Sequence, residues 1–348
     1  MKFIGHEERG NIMHETWDLH QLADEIINGK RLTREDDLQQ LITCDLDTLC
    51  AEADRIRAAL CGNRVDLCTI INGKAGRCSE DCKFCAQSAR NTAECEAYSF
   101  LDPETILAEA KANEADGVDR FSIVTAAKTL KGAEFEKAIE AFRLLHEKCR
   151  LKLCASMGLL SEEQLQRLAK SGVTRYHENI ETSQRNFPNI CTAHTYEDKI
   201  RTIRAAQDAG LDVCSGGIIG MGETWEDRID MALSLAELGI QSIPLNSLIP
   251  LPGTPFEDLP RLTEEEVLRT VAIFRFLNPT AAIRMAAGRS IIKSAGRGAF
   301  CSGASATITG NMLTTSGSTI ASDRQMLTAL GREVVTKYGD AKTNCGGH

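Results

Sequence analysis

Short apolar runs rich in β-branched residues alternate with amphipathic helical stretches along most of this chain, and this alternation constrains the fold more than any other feature. The apolar runs lie at positions 65–71, 121–125, 151–156, 175–182, 212–219, 242–249, 281–286 and 304–308. Helical signals separate them, as where Pro103 is followed by Ile106 and Ala110. Alternation of this kind predicts parallel β/α units, and eight such strands can close a TIM-type (β/α)8 barrel.

Helical signals also fill the stretch before the first apolar run. Leu22, Ile26 and Ile27 recur at helical spacing, and Asp45 stands where it can cap a further helix. We therefore expect an N-terminal helical extension over residues 1–62 that packs on a barrel of residues 63–320. Residues 321–348 are expected to form a C-terminal helix and a mobile tail that contains Cys345.

Composition narrows the classes of function. The chain has 348 residues, a formal net charge of −9 and a pI near 5.4, and it lacks the basic stripe of a nucleic-acid-binding protein. No segment approaches the roughly 18 uninterrupted apolar residues of a membrane span, and residues 1–13 lack the apolar centre of a signal peptide. We expect a cytoplasmic protein with no nucleic-acid or membrane partner. In that compartment its 14 cysteines are interpreted as cluster ligands and reduced core thiols.

Three of these thiols, Cys78, Cys82 and Cys85, stand in a CxxxCxxC spacing soon after the first apolar run. Three thiolates can hold an iron–sulfur cube while one iron keeps no protein ligand, and an open iron can bind a reactant. A structural zinc site normally has four protein ligands, and no second pair follows at zinc-finger distance. The spacing therefore favours an iron–sulfur cluster at the barrel mouth, with zinc or unligated core thiols as the alternatives.

A glycine-rich stretch ends the fifth apolar run. Gly216, Ile218, Gly220 and Glu223 stand in a GxIxGxxE pattern, in which the glycines let a ligand approach the backbone closely. The pattern is not the GxGxxG fingerprint of dinucleotide-binding folds. The alternative interpretation is a turn that only packs.

Polar and sulfur-bearing residues interrupt runs that should be buried. Cys154 and Cys214 occupy similar places in the third and fifth runs, Asn179 and Glu181 fall in the fourth, and Arg284 falls in the seventh. A buried polar group costs about 1–3 kcal/mol when unpaired, so these residues predict a polar ligand or a complete hydrogen-bond network. Each thiol taken singly is also explained by core packing, which is the expectation for seven others: Cys44, Cys50, Cys61, Cys68, Cys95, Cys149 and Cys301.

The cysteine spacing resembles that of the radical S-adenosylmethionine (SAM) superfamily, and the wider set of motifs resembles the biotin synthase family within it. The resemblance covers roughly residues 65 to 320, through the stretches 176–182, 213–224, 245–248, 283–289 and 313–315. It implies a (β/α)8 sulfurtransferase that converts dethiobiotin to biotin with two iron–sulfur clusters. A 4Fe–4S cluster on Cys78, Cys82 and Cys85 is implied to cleave SAM, and an auxiliary cluster, 2Fe–2S in the family, to supply the sulfur.

The resemblance also implies an auxiliary ligand set of Cys154, Cys214 and Arg284. The chain departs from the family pattern at Ser122, where most members have another cysteine ligand, and a serine is a poor substitute for a thiolate. Cys191 is an extra thiol where the family pattern is apolar. We therefore consider two interpretations of Cys191, a compensating auxiliary ligand or a plain buried cysteine, and the iron count of this cluster stays open.

Substrate contacts are implied in the same way. Asn179 and Glu181 fall where the family contacts the SAM ribose and the substrate, and Asn246 falls where it contacts the ureido ring of dethiobiotin. The glycine-rich stretch is implied to bind SAM through Gly216, Ile218, Gly220 and Glu223. The protein's share of the work is then positioning and exclusion of water, since the radical chemistry belongs to the cofactors.

The family resemblance further implies flavodoxin or ferredoxin as electron donor, and a homodimer. Two rival functions stay open. One is another radical SAM enzyme of the same branch, such as a hydrogenase-cofactor maturase or a carbon-skeleton mutase, which would not need the three auxiliary ligands together. The other is a non-catalytic iron–sulfur redox sensor, which would leave the polar residues at the strand ends unexplained.

Overall fold

The computed structural model describes residues 17–310 and 318–334. Every apolar run contains a strand of one parallel sheet, as the alternation predicts. In chain order the strands are β1 (Asp66–Lys74), β2 (Arg120–Thr125), β3 (Lys152–Ser156), β4 (Val173–His177), β5 (Asp212–Cys214), β6 (Gly217–Ile219), β7 (Ser242–Ser247), β8 (Ala282–Met285) and β9 (Ala306–Ile308). β5 and β6 are the two halves of the fifth predicted strand.

The sheet closes into a barrel. Its strand order is β5-β4-β3-β2-β1-β9-β8-β7-β6, and β5 also pairs with β7 through the register pair Cys214 and Ser242. The fifth strand is divided where Gly216 passes so close to β7 that a β-carbon on it would lie 2.0 Å from the carbonyl oxygen of Pro244. β6 then pairs with β7 over its whole length, so the division leaves the barrel closed. The result is the TIM-type (β/α)8 barrel that the sequence predicts.

The helical extension that precedes the barrel is also confirmed within the described residues. Its helices are α1 (Leu19–Ile27), α2 (Gln39–Thr43) and α3 (Leu46–Cys61). Asp45 caps α3 as predicted, because its carboxylate accepts a hydrogen bond from the Thr48 N–H at 2.8 Å. The buried side chains of α1 and α3 pack against each other, which joins the extension into one layer.

Helices alternate with the strands around the outside of the barrel. They are α4 (Pro103–Ala115), α5 (Gly132–Lys148), α6 (Glu162–Lys170), α7 (Tyr196–Asp208), α8 (Trp225–Glu237) and α9 (Glu264–Leu277). The last four each begin with a capping box, in which a Ser or Thr hydroxyl and the side chain three residues later satisfy each other's backbone N–H groups. Among the described residues, no helix is both long and apolar enough to cross a membrane.

The end of the chain holds one element that the sequence did not predict, α10 (Lys293–Phe300). This helix contains two glycines and has no side-chain N-cap, so it lacks the usual start signal. α11 (Ile320–Ala329) lies where a C-terminal helix was expected. The motif stretch 313–315 and the tail with Cys345 lie outside the described residues.

β4 is shorter than its apolar run predicts, because it ends at His177 rather than at residue 182. Beyond it the regular strand ends, although Glu178 and Glu181 still donate backbone hydrogen bonds to Cys214 and Gly216. Glu181 adopts a φ of 69°, a left-handed conformation that is uncommon for residues other than glycine. The polar residues that interrupted the predicted strand therefore belong to a separate segment. That segment crosses the open end of the barrel beside β5 and β6.

Candidate active site

The strands enclose one cavity that reaches their C-terminal ends, which we call the barrel cavity. Phe84 and Cys85 reach it from the loop after β1. It brings together seven other residues that the sequence singled out: Cys154, Asn179, Glu181, Cys214, Ile218, Asn246 and Arg284. It is also lined by residues for which we predicted no binding role: Cys68, Arg120, Ser122, Arg175 and His177.

Residues 78–91, the cysteine loop, carry the three predicted ligands Cys78, Cys82 and Cys85. The Cys78 N–H donates to the Gln87 carbonyl at 2.9 Å, and Asn91 Nδ2 donates to the carbonyl oxygens of Cys82 and Cys85 at 3.2 and 2.8 Å. Burial raises the pKa of Cys85 to about 11, so binding of a metal would displace its proton. Three thiols on one closed loop suit an iron–sulfur cluster that leaves one iron open.

A second segment, residues 190–194, holds the cysteine loop in place, and we call it the clamp segment. The Asp81 carboxylate accepts hydrogen bonds from the backbone N–H groups of Thr192 and Ala193 at 3.0 and 2.9 Å. Glu80 Oε2 lies 2.5 Å from His194 Nδ1. Burial opposes ionisation of Asp81, but the hydrogen bonds from Thr192 and its neighbours hold its pKa well below the ordinary value. The acidic residues between the thiols therefore anchor the loop.

Cys191 belongs to the clamp segment. Its Sγ lies 3.9 Å from Cys82 Sγ, 3.0 Å from Asp81 Oδ1 and 3.4 Å from His194 Nδ1. Cys82, Cys191 and His194 are close enough to share a metal ion. Auxiliary ligation by Cys191 required the segment after β4 to fold over the barrel, but the segment folds against the cysteine loop instead. Among the described residues that line the barrel cavity, Cys191 does not appear, so its position gives that interpretation no support.

Cys154 and Cys214 are both buried and project into the barrel cavity from β3 and β5. Burial raises the pKa of Cys154, to which Ser122 is hydrogen bonded. Burial also opposes ionisation of Cys214, but a hydrogen bond to His177 and the positive charges of His177 and Arg284 hold its pKa below the ordinary value. The cavity thus holds two thiols, and thiolates are the donors that iron–sulfur clusters take.

Three guanidinium groups line the same cavity. Arg284 is 2% exposed, and its Nη2 lies 2.5 Å from Asp66 Oδ2 while its Nη1 donates to the carbonyl oxygens of Asp66 and Thr307, both at 3.1 Å. Among the described residues, the Nε atoms of Arg120 and Arg175 are buried without a hydrogen-bond partner. Asp66 and the exposed Asp212, each 3.7 Å from Arg175, are two carboxylates against three guanidinium groups, so the cavity suits an anionic group. A thiolate-bound iron–sulfur cluster has that character.

Asn179 and Glu181 lie in the segment that crosses the barrel mouth. The Asn179 side chain accepts from the Gly216 N–H at 3.1 Å and donates to Glu181 at 3.3 Å, and the Ile218 N–H donates to the Glu181 carbonyl at 2.9 Å. A side-chain amide has two donor and two acceptor positions, so Asn179 keeps one of each for a ligand. Burial raises the pKa of Glu181, and the charge of Lys199 opposes that shift.

Glu223 supports the glycine-rich turn from behind. Its carboxylate accepts from the N–H groups of Gly220 and Met221, both at 2.7 Å, and from Arg228 Nε at 2.8 Å. The Glu223 side chain is 1% exposed. Of the four residues predicted from this turn, Ile218 lines the barrel cavity, whereas Glu223 and the two glycines shape the backbone next to it.

Asn246 lies on β7 at the cavity wall. Its Nδ2 donates to the Gly217 carbonyl and its Oδ1 accepts from the Ala287 N–H, both at 3.1 Å. These two bonds tie β7 to its neighbours and fix the plane of the amide. As with Asn179, one donor and one acceptor position are left to face the cavity.

The sequence contained a signal for the cavity residues that it left without a role. Alternate residues of a strand face the same side, so Arg120 shares the inner face of β2 with Ser122, and Cys68 shares that of β1 with Ile70. Once one inward-facing residue of a strand is known, the alternation of side chains therefore identifies the other residues of that strand that face the cavity. Motif reading alone missed Cys68 and Arg175 because neither belongs to a matched pattern.

Two family models match the chain, the radical SAM superfamily over residues 74–235 and the biotin and thiamin synthesis associated domain over residues 244–333. Similar curated proteins include a biotin synthase of Clostridium beijerinckii, 59% identical over 90% of this chain and 99% of the relative. A biotin synthase of Alkaliphilus metalliredigens has the same identity and coverage. That of Akkermansia muciniphila is 51% identical over 91% of this chain and 98% of the relative.

Solved structures with the same fold share little sequence with this chain. Methylornithine synthase superposes with a TM-score of 0.78 at 20% identity, covering 90% of this chain and 97% of that structure. The FeFe-hydrogenase maturase HydG from Carboxydothermus hydrogenoformans superposes with a TM-score of 0.75 at 16% identity, covering 90% and 78%. At these identities the likeness supports the barrel architecture alone.

Proposed function

This chain belongs to the biotin synthase family of radical SAM enzymes, and we propose that it converts dethiobiotin to biotin in the barrel cavity. The observation that carries the proposal is the convergence of three sets of residues on that one cavity. They are the cysteine loop, the polar residues of the barrel mouth, and the thiols and arginines of the barrel interior.

We propose that Cys78, Cys82 and Cys85 hold the 4Fe–4S cluster. When bound, this cluster supplies the electron that splits SAM into methionine and a 5′-deoxyadenosyl radical. The chain's own contribution is to keep the thiols on a loop that Asn91 and Asp81 hold closed. Because Phe84 and Cys85 line the cavity, the loop presents SAM toward the barrel interior.

The proposed SAM and substrate contacts lie between the two clusters. Asn179 offers one donor and one acceptor to the SAM ribose and the substrate, and Ile218 offers an apolar surface to the adenine. Asn246 offers an amide whose free donor and acceptor match the N–H and C=O groups of a cyclic urea. Since backbone bonds already orient both amides, neither has to be ordered when the ligands bind.

We propose that Cys154 and Cys214 are ligands of an auxiliary cluster, with Arg284 beside it or bound to it. When bound, that cluster supplies the sulfur that enters the product. The cationic surroundings of Arg120, Arg175 and Arg284 favour such an anion over a free divalent metal ion. The Asp66 ion pair keeps Arg284 charged, because it holds the pKa of the guanidinium above its ordinary value against the effect of burial.

Three further features are part of the proposal. An electron donor such as flavodoxin or ferredoxin would approach the cysteine loop, where the three thiols are only half-buried. We also propose a homodimer in the cytoplasm, and a division into a helical extension, a barrel and a C-terminal segment, as the sequence predicts. None of them changes the assignment of the barrel cavity.

The experiment uses anaerobically purified protein, reduced chemically and mixed with SAM and dethiobiotin. We expect methionine, 5′-deoxyadenosine and biotin, whereas a redox sensor would give none of them and another radical SAM enzyme would give no biotin. Replacement of Cys78, Cys82 and Cys85 by alanine should abolish all three products. Cys149→Ala, which changes a thiol outside the cavity, is the matched control. Cleavage of SAM by the triple variant would overturn the proposal.

A further inference from the structure

We propose that Cys68 is a thiolate ligand of the auxiliary cluster and supplies from β1 the donor that Ser122 does not supply from β2. The inference rests on the proposed function, because it assumes that the barrel cavity holds such a cluster. It adds a ligand that neither the motifs nor the family assignment supplies.

The strand geometry brings Cys68 into the cavity. Cys68 is 6% exposed and lines the cavity together with Ile70, two residues further along the same face of β1. In the parallel register, Cys68 lies opposite Arg120 and Ile70 lies opposite Ser122. The thiol therefore sits one inward-facing position deeper in the barrel than the serine, on the adjacent strand.

Cys68 is also close to the other proposed ligands. Ser122 and Cys154 are register partners on β2 and β3, so they lie side by side, and Cys68 lies one inward-facing position away from Ser122 on the adjacent strand β1. Burial raises the pKa of Cys68 to about 12, and the charges of Arg284 and Cys154 act on the same thiol. Arg284 in turn lies near both Cys68 and Cys214. Cys68 and Cys214 thus lie near the same guanidinium group, and Cys154 lies near Cys68.

Core packing is the alternative role, since a buried cysteine often behaves as a small hydrophobe. The surroundings of Cys68 do not favour it, because Arg284, Asp66 and Arg120 lie around its thiol. Its hydrogen-bond contact among the described residues is a weak one, to the carbonyl oxygen of Thr69 at 3.6 Å. A thiolate bound to iron would instead place negative charge between arginines.

The surrounding charge also suits a thiolate at this position. Arg284 and Arg120 act on the Cys68 thiol, so a thiolate there would lie in a cationic environment. Ser122 cannot contribute a charge in this way, because its hydroxyl is neutral and is hydrogen bonded to Cys154. Cys191 does not line the cavity among the described residues and contacts the cysteine loop instead.

The test uses the full chain with Cys78, Cys82 and Cys85 replaced by alanine, so that all cluster iron is auxiliary. Iron, acid-labile sulfide and the visible absorption of the cluster are measured after anaerobic reconstitution. Adding Cys68→Ala should remove at least half of the iron and most of the absorption. Adding Cys191→Ser or Cys149→Ala should leave both unchanged. Ser122→Cys together with Cys68→Ala should recover the iron, because it restores a third thiol beside Cys154.

Each other result counts against the inference. Unchanged iron and absorption with Cys68→Ala would overturn it, as would a loss with Cys191→Ser in its place. If circular dichroism shows that the Cys68→Ala variant has not folded, Cys68→Ser, which preserves the shape of the side chain, is used in its place. The same loss of iron and absorption is expected for it. In the chain with an intact cysteine loop, Cys68→Ala should still cleave SAM but form no biotin. Absence of SAM cleavage in the parent would instead refute the proposed function, and absence of iron from the triple variant would overturn both.

Discussion

Glu223 offers a sharp test of whether the glycine-rich turn binds SAM through side chains or through its backbone. Its carboxylate accepts hydrogen bonds from the backbone N–H groups of Gly220 and Met221 and from the side chain of Arg228. Glu223→Gln keeps the shape of the side chain but turns one acceptor oxygen into a donor. One of the two N–H groups then loses its partner, and Arg228 loses its nearest negative charge.

The cost can be worked from these contacts. A buried N–H without an acceptor costs about 1–3 kcal/mol. An orphaned buried charge costs about 3–5 kcal/mol, but Arg228 keeps Thr270 at 3.3 Å, Glu266 at 3.9 Å and the Trp225 ring at 4.4 Å, so its share is smaller. We expect a total of about 3 kcal/mol, which lowers the thermal midpoint by roughly 4 °C in a chain of this size.

The assay compares the thermal midpoint and the SAM dissociation constant of parent and variant protein. Because its hydrogen bonds hold the carboxylate against the turn, we expect it not to contact SAM, and affinity should then fall less than tenfold, or under about 1.4 kcal/mol. Glu226→Gln, an exposed change in the first turn of the same helix α8, should alter neither quantity. An unchanged midpoint with a much larger loss of SAM affinity would refute this reasoning, since it would mean that the carboxylate contacts SAM directly.

Two further predictions concern the ends of the cavity. Asn246→Leu should weaken dethiobiotin binding by roughly tenfold to a hundredfold, as measured by calorimetry, because a ligand amide pair is lost; an equal loss for SAM would indicate misfolding instead. Asp81→Ala should release the cysteine loop from the clamp segment and lower the iron bound by Cys78, Cys82 and Cys85, as measured in the Cys154→Ala, Cys214→Ala background; iron content equal to that of the background would contradict the clamp.

The fold could be predicted from the sequence because the hydrophobic periodicity and the helix-capping residues indicate the same helices and strands along most of the chain. Each apolar run yielded a strand, and Ser161 and Asp45 capped the helices that follow them. The division of the fifth strand could not be seen, since it depends on how closely Gly216 approaches Pro244 on a distant strand. The end of β4 was missed for a similar reason, because the run of residues up to 182 looks continuous until tertiary contacts turn it.

The candidate site was predictable where a thiol or charged side chain falls within a predicted buried strand, as for Cys154, Cys214 and Arg284. It was not predictable where a side chain acts through contacts across the fold. Cys191 carried the right chemistry but lies with the cysteine loop, because the path of the segment after β4 leaves no local signature. Cys68 carried a weaker sequence signal yet lies in the cavity, because strand phase alone decides which way it faces.

The divided fifth strand also gives the barrel wall a seam. Between β5 and β7 the register holds a single pair, Cys214 with Ser242, whereas β1 and β2 are paired from Cys68 to Lys74. Local opening of a protein needs least free energy where the fewest backbone hydrogen bonds must break. We therefore expect the barrel wall to open most readily between β5 and β7, where Cys214 lies. A group that binds both Cys214 and a thiol of another strand would link the two sides of this weakly paired region. Binding of that group in the cavity would therefore also stabilise the closed barrel wall.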